Sequence, residues 1–277
     1  MNAAYFEMIG GASGNMLLGA LLDAGADRGR LEAALRTVPV AGWKLECRRV
    51  VKRGIAATFF DFEIPGEDHT PPLAGFSHEH EHDHEQAHSR AERRLEDVLD
   101  ILDRSGLSEW QKTRARTIYV RLAQAEARVH GKSVEHVVFH EVGQIDAILD
   151  VAGACVALDL LEVESVFCSP FPIGEGSIAM THGAYPNPPP ATAELLRGAP
   201  TFAAGVVGEM VTTTGAAILT ALVQTPGTRP PMTAERIGYG AGRSDFAIPN
   251  VLRASIGPLF EAPAGADEIV VLEATID

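Results

Sequence analysis

Residues 3–24 read AAYFEMIGGASGNMLLGALLDA, and this run starts the argument for the fold. Ala3-Ala4-Tyr5-Phe6-Glu7-Met8-Ile9 is a short apolar strand. Gly10-Gly11-Ala12-Ser13-Gly14 is a tight turn. The run from Asn15 to Ala24 is helical, and Gly25 can cap its end. The next stretch does not keep alternating strand with helix. A second helix is expected over residues 28–36, then two strand-like runs, 44–51 and 55–64, joined around Arg53-Gly54. The alternation in Thr58-Phe59-Phe60-Asp61-Phe62-Glu63-Ile64 marks a half-buried strand.

Beyond residue 89 the pattern turns helical. Ser89 and Glu92 are placed as a capping box. Leu95, Val98, Leu99 and Leu102 then fall at helical spacing. Further helices are expected over 108–129, 142–161, 191–196 and 215–223, with short strands at 165–168, 236–239, 251–255 and 269–273. Runs of strands and runs of helices without strict alternation predict an α+β fold, a mixed sheet with packed helices. There is no internal repeat. The chain stops in a strand-like segment, Glu273-Ala274-Thr275-Ile276-Asp277. Residues 1–265 are therefore expected as one domain, and 266–277 as the start of a further C-terminal one.

Composition narrows the function. The chain has 277 residues, 46% hydrophobic and 22% charged, which is enough for a sizeable core. Its formal net charge is -14. So acidic a surface repels phosphate backbones and anionic lipid, so nucleic acid and membrane are excluded as partners. Cys47, Cys155 and Cys168 are far apart and make no CxxC pair. They read as small buried hydrophobes in a reducing compartment. No basic leader and no apolar run of spanning length is present, so the expected location is cytoplasmic. A homo-oligomer stays open.

The strongest chemical feature lies in a Pro- and Gly-bearing polar tract, 66–89, read as a mobile insertion without core-forming residues. It contains His78-Glu79-His80-Glu81-His82-Asp83-His84-Glu85, with His88 beyond and His69 upstream. Imidazole suits nickel, zinc and copper, and interleaved carboxylates add ligands. Such a tract can wrap a divalent ion loosely and reversibly, with pH dependence, because the imidazoles must be neutral.

Other motifs are quieter. His140-Glu141-Val142-Gly143-Gln144 approaches the HExxH pattern, but Gln144 replaces the second histidine, so a zinc-protease reading fails. In the adjoining helix, Ile145, Leu149, Ala152, Val156 and Leu160 form an apolar stripe. Asp146 and Asp150, one turn apart, lie on a second face with Gly143 and Gly153, expected to leave room for a ligand. Two glycine-bearing turns precede helices: Gly10-Gly11-Ala12-Ser13-Gly14 and Thr212-Thr213-Thr214-Gly215. Backbone N–H groups at helix starts bind phosphate or carboxylate, though neither turn fits Walker A or GxGxxG. Thr181-His182-Gly183-Ala184, then Pro186, Pro188, Pro189 and Pro190, is expected to be a stiff loop carrying one histidine.

These motifs in this order resemble the LarC family, nickel-insertion proteins of the lactate racemase cofactor pathway. The resemblance rests on Gly11-Ala12-Ser13-Gly14-Asn15-Met16, Phe139 to Gly153, Pro170 to Thr192, Glu209 to Ala217, Gly238 to Gly242 and Pro249 to Arg253. It implies that nickel(II) is loaded into a pyridinium bisthiocarboxylic acid mononucleotide, a chelatase step of the lyase class coupled to CTP hydrolysis. It also implies that CTP belongs to a C-terminal domain or partner. In the family Glu7 is usually Asp, Asn15 is Asp, and Thr213 is Pro.

Three readings of function are open. In the first, nickel is gathered by His78, His80, His82, His84 and His88 and passed to fixed ligands chosen among His140, Glu141, Glu7, Asp146, Asp150 and His182. Asp146, Asp150 and His182 then serve as the catalytic group. The mononucleotide rests on Gly11, Ser13 and Gly14 or on Thr212, Thr214 and Gly215. The second is a non-catalytic nickel chaperone or store. The third, a metal-dependent hydrolase built on Asp146 and Asp150, lacks an evident nucleophile or base pair.

Overall fold

The structure, a computed structural model, describes residues 2–65, 92–180 and 183–260. β1 (Asn2–Glu7) leads through a turn into α1 (Gly14–Asp23), whose first turn is capped by Ser13 Oγ accepting from the Met16 N–H at 3.2 Å. α2 (Arg28–Leu35) is capped in the same way by Asp27. β2 (Lys44–Lys52) and β3 (Ile55–Glu63) form a hairpin. Its turn residues Arg53 and Gly54 have φ of 49° and 86°, the paired positive values that match strand twist in a two-residue hairpin turn.

Beyond residue 91 come β4 (Arg93–Arg94), α3 (Leu95–Asp103), α4 (Glu109–His130), β5 (Val138–Phe139) and α5 (Ile145–Leu160). Next are β6 (Val163–Cys168), β7 (Phe171–Glu175), β8 (Ser177–Met180), β9 (Gly183–Pro186) and α6 (Pro190–Leu195). The described chain closes with β10 (Thr201–Val207), α7 (Thr213–Leu222), β11 (Arg236–Ala241) and β12 (Val251–Pro258).

Six strands form one mixed sheet in the order β2-β3-β11-β12-β1-β6. β1, β3, β6 and β11 point one way, and β2 and β12 run against them. α1 lies along the sheet so closely that a methyl group at Gly240 would overlap the Met16 carbonyl. α5 packs against α1, α2, α4, α7 and β6, so it sits in the middle of the helical layer. The fold is α+β, as expected.

The boundaries carry the main differences. α4 starts on a capping box in which Ser108 and Gln111 exchange hydrogen bonds. The box expected at Ser89 and Glu92 does not set a helix start: Ser89 lies outside the described residues, and α3 begins only at Leu95. There the Asp97 carboxylate accepts from the Arg94 N–H at 2.7 Å. Three pairings were not anticipated: β10 beside β7 in parallel, β8 with β9 as a hairpin, and β4 with β5. β9 occupies part of the stretch expected to be a stiff loop, and Thr181 and His182 lie outside the described residues.

The two-faced reading of α5 is overturned. Every residue from 147 to 158 is buried, because other elements pack around the helix on all sides. The glycines thought to leave room do not. A methyl group at Gly143 would strike Phe139, and one at Gly153 would press on Leu18, so both serve close packing.

Candidate metal and anion site

The shared direction of β1, β3, β6 and β11 brings their carboxyl ends to one edge of the sheet, where open sheets with helical layers place ligands. α1 and α7 both begin at this edge. The Ala12 N–H donates to the Met210 carbonyl at 2.8 Å, and the Thr212 N–H donates to the Ala12 carbonyl at 3.0 Å. The two glycine turns, remote from each other in sequence, are thus one structure. Gly11, at φ 125°, and Gly215 exist to allow it, since a methyl group on either would overlap the opposing backbone. Ser13 and Thr212 spend their hydroxyls as helix caps, on the N–H groups of Met16 and Gly215. Thr214, half-buried, is the second residue of α7. Thr213 hydrogen-bonds Thr192 at 3.0 Å in a buried pair, which explains a hydroxyl where a helix start would accept proline.

Asp150 approaches from α5. Gly14, the first residue of α1, has no room for a side chain because the Asp150 carboxyl occupies that space. Asp150 is 6% exposed, and its Oδ1 is buried with no hydrogen-bond partner among the described residues. Burial pushes its carboxyl well above the usual carboxylate range, and the charges of Asp146 and Asp61 push it further, against a smaller opposing effect of Arg243. Asp146, in the first turn of α5, accepts from the Ala147 N–H at 2.7 Å. Asp61 is held by Arg243, whose Nε reaches one oxygen at 2.8 Å and whose Nη2 reaches both at 2.5 Å. Asn15 donates to Asp61 Oδ1 at 2.7 Å. Its amide gives a donor where a carboxylate would repel. Composition and spacing pointed to Asp146 and Asp150, but not to Asp61 or Arg243, which come from strand ends remote in sequence.

A second group lies where α4 ends. Glu126 and His130, one turn apart, approach to 3.3 Å between Oε2 and Nε2, and the His130 ring stands 5.8 Å from that of His140. Glu141 is exposed, yet its charge is felt by both Glu126 and Glu209. Burial first, and Glu141 second, push each of those two carboxyls up to about 7. A cavity of about 200 Å³ opens here, lined by Glu92, His130, Lys132, Val137, Val138 and His140. His140 and Glu141 were candidates from the sequence. Glu126, His130 and Glu209 were missed, although Glu126 and His130 stand at i and i+4 just before the helix-ending Gly131.

Glu7 ends β1 at the same sheet edge. Its carboxylate pairs with Arg253, and Arg229 lies 4.0 Å away, so its charge is already compensated by cations. His78, His80, His82, His84 and His88, with His182, lie outside the described residues. Among the described residues no three His, Cys, Asp or Glu side chains converge on one ion-sized point. Cys155 and Cys168 are buried, and burial pushes both thiols up to about 12, which fits packing and opposes metal ligation. No helix among the described residues is long and apolar enough to cross a membrane.

Comparison with known proteins places the chain. A Dictyoglomus thermophilum protein whose name gives nickel insertion is 41% identical over the whole chain, which covers 66% of that protein. The pyridinium-3,5-bisthiocarboxylic acid mononucleotide nickel insertion protein of Desulfitobacterium hafniense is 40% identical over the whole chain and 65% of its own length. The protein of the same name from Geobacillus kaustophilus is 42% identical over 93% of the chain and 60% of its own length. The chain thus spans about two thirds, or slightly less, of the curated relatives it matches. No solved structure matches it. The family profile described as nickel insertion protein matches residues 4–277, and the chain belongs to that family.

Proposed function

We propose that this chain takes part in loading nickel(II) into a pyridinium bisthiocarboxylic acid mononucleotide, as a nickel chelatase of the lyase class acting in the cytoplasm. The names of its relatives support the acceptor. CTP hydrolysis is assigned to a C-terminal domain or partner, not to the described residues.

The observation that carries this reading is the buried, unpartnered oxygen of Asp150 at the joined starts of α1 and α7. A buried polar atom without a partner is costly, and at a functional edge its natural explanation is a bound species. The N-terminal ends of α1 and α7 carry partial positive charge, which suits the phosphate of a mononucleotide. Because Gly11, Gly14 and Gly215 are packed against protein, their contribution would come from backbone N–H groups near Ser13, Thr212 and Thr214. Asp146 and Asp150 would then face the reacting end. His140 and Glu141, with the histidine tract and His182, would hold nickel beforehand. Imidazole and carboxylate bind nickel reversibly, and the softer thiocarboxylate sulfurs of the acceptor draw the ion onward.

A calorimetric titration of the nickel-loaded chain with the mononucleotide tests this. The expected result is one-to-one binding, weakened in Asp150→Asn while the thermal melt of that variant stays unchanged or rises. A chain that binds nickel and ignores the mononucleotide would be a nickel store instead.

A further inference from the structure

We infer that Glu126 and His130 at the end of α4, with His140 close beside His130 at a shared cavity, form a station for a divalent cation of borderline softness, separate from the histidine tract. The inference rests on the nickel reading above and adds Glu126 and His130, to which that reading gives no role.

Glu126 and His130 are four residues apart, so their side chains rise from one helix face, and their polar atoms already meet at 3.3 Å. Both side chains are mostly covered, at 15% and 27% exposure, so the pair is not a loose surface contact. The cavity beside them is large enough for a hydrated ion, and His130 and His140 both line it. The helix contributes as well. α4 ends at His130 with Gly131 in a left-handed cap at φ 61°, and the last carbonyls of a helix favour positive charge. Glu141 adds to the burial of Glu126 and of Glu209 in holding each carboxyl up, and a cation beside Glu126 would relieve that crowding. Lys132 also lines the cavity, but it is exposed and can carry its ammonium into solvent.

Glu126 and His130 are the two direct donors; His140, its ring 5.8 Å from that of His130, does not converge with them on one point and would join through water, which leaves several ligand positions open. Such a site holds an ion without closing around it. A closed four-ligand cage retains its metal, whereas an open one can release it to a better ligand.

The test uses the full chain with His69, His78, His80, His82, His84 and His88 changed to asparagine, titrated with nickel(II) chloride by calorimetry near pH 7.5. One bound equivalent is expected. His130→Gln and Glu126→Gln, made separately in that background, should each weaken it by about tenfold or more. Thermal melts accompany each titration, and Glu126→Gln keeps the side-chain shape should His130→Gln fold poorly. Unchanged nickel affinity in both folded variants overturns the inference. So does the absence of any nickel binding once the tract histidines are gone, with nickel still bound by the unmodified chain. If the unmodified chain also binds no nickel, the functional reading itself falls.

Discussion

The joined starts of α1 and α7 and the end of α4 are built in opposite ways. At the start of α1 and α7, backbone is pressed on backbone: Gly11, Gly14 and Gly215 are all hemmed in, and Asp150 fills the space over Gly14. At the end of α4, Gly131 has nothing within 4 Å of where a side chain would stand, and a cavity opens beside His130. The first end gathers N–H groups and suits an anion, and the second gathers carbonyls and carboxylates and suits a cation. A protein that joins a metal to a phosphate-bearing ligand needs both. The packed end fixes geometry, and the open end permits exchange.

The largest expected effect breaks the packed end. Gly215→Ala would force a methyl group into the Ala12 carbonyl and the Ser13 backbone, neither of which is a flexible side chain. A loss of about 3 kcal/mol is expected by denaturant unfolding. A change below about 0.5 kcal/mol would mean that the two turns are not locked together.

The next prediction concerns the crowded carboxyls. Glu209 titrates at about 7 in the folded chain, raised from its usual value by burial and by Glu141. Between about pH 4.5 and 7 the folded form keeps a proton that the unfolded form has lost. Stability therefore falls as pH rises through that window and levels off above it. Glu209→Gln removes this dependence. Relative to the unaltered chain, the variant should gain on the order of 2 kcal/mol at pH 8 and nothing at pH 4. An equal gain at both pH values would point to packing, not to charge.

Smaller effects sharpen the contrast. Asn15→Asp replaces the amide that donates to Asp61 with a second carboxylate, at a cost of about 1 kcal/mol at pH 7. The cost should shrink below about pH 4, as the new acid takes a proton. Deleting residues 77–88 should change stability by less than about 0.5 kcal/mol, since that stretch has no core-forming residues. The number of nickel ions bound should nevertheless fall. Unchanged nickel stoichiometry would remove the tract from the account.

What could be read from the chain differs between elements for physical reasons. The opening strand, turn and helix, the hairpin turning at Arg53-Gly54, and α4 with its Ser108 box all carry strong local rules, and the structure obeys them. β7 and β10 carry none. They form a parallel pair on their own, and their exposed Phe202 and Val207 follow no in–out alternation. β8 and β9 lie beside a proline-rich run that reads as loop, because proline signals turns more strongly than it signals edge strands. α5 misled because its polar residues suggested a wet face. Asp150 is in fact enclosed, and only the packing of α1 against α5 could reveal it. Asp61 and Arg243 meet through sheet register, which no local pattern encodes.

The central claim is that the metal and the anion belong to one transfer. Native mass spectrometry of the chain with nickel(II) and the pyridinium bisthiocarboxylic acid mononucleotide tests it most directly, with and without a C-terminal partner and CTP. The account predicts a complex holding both nickel and mononucleotide, and release of the nickel-bearing mononucleotide when partner and CTP are supplied. Nickel retained by the chain under every condition, with no mononucleotide bound, would contradict it.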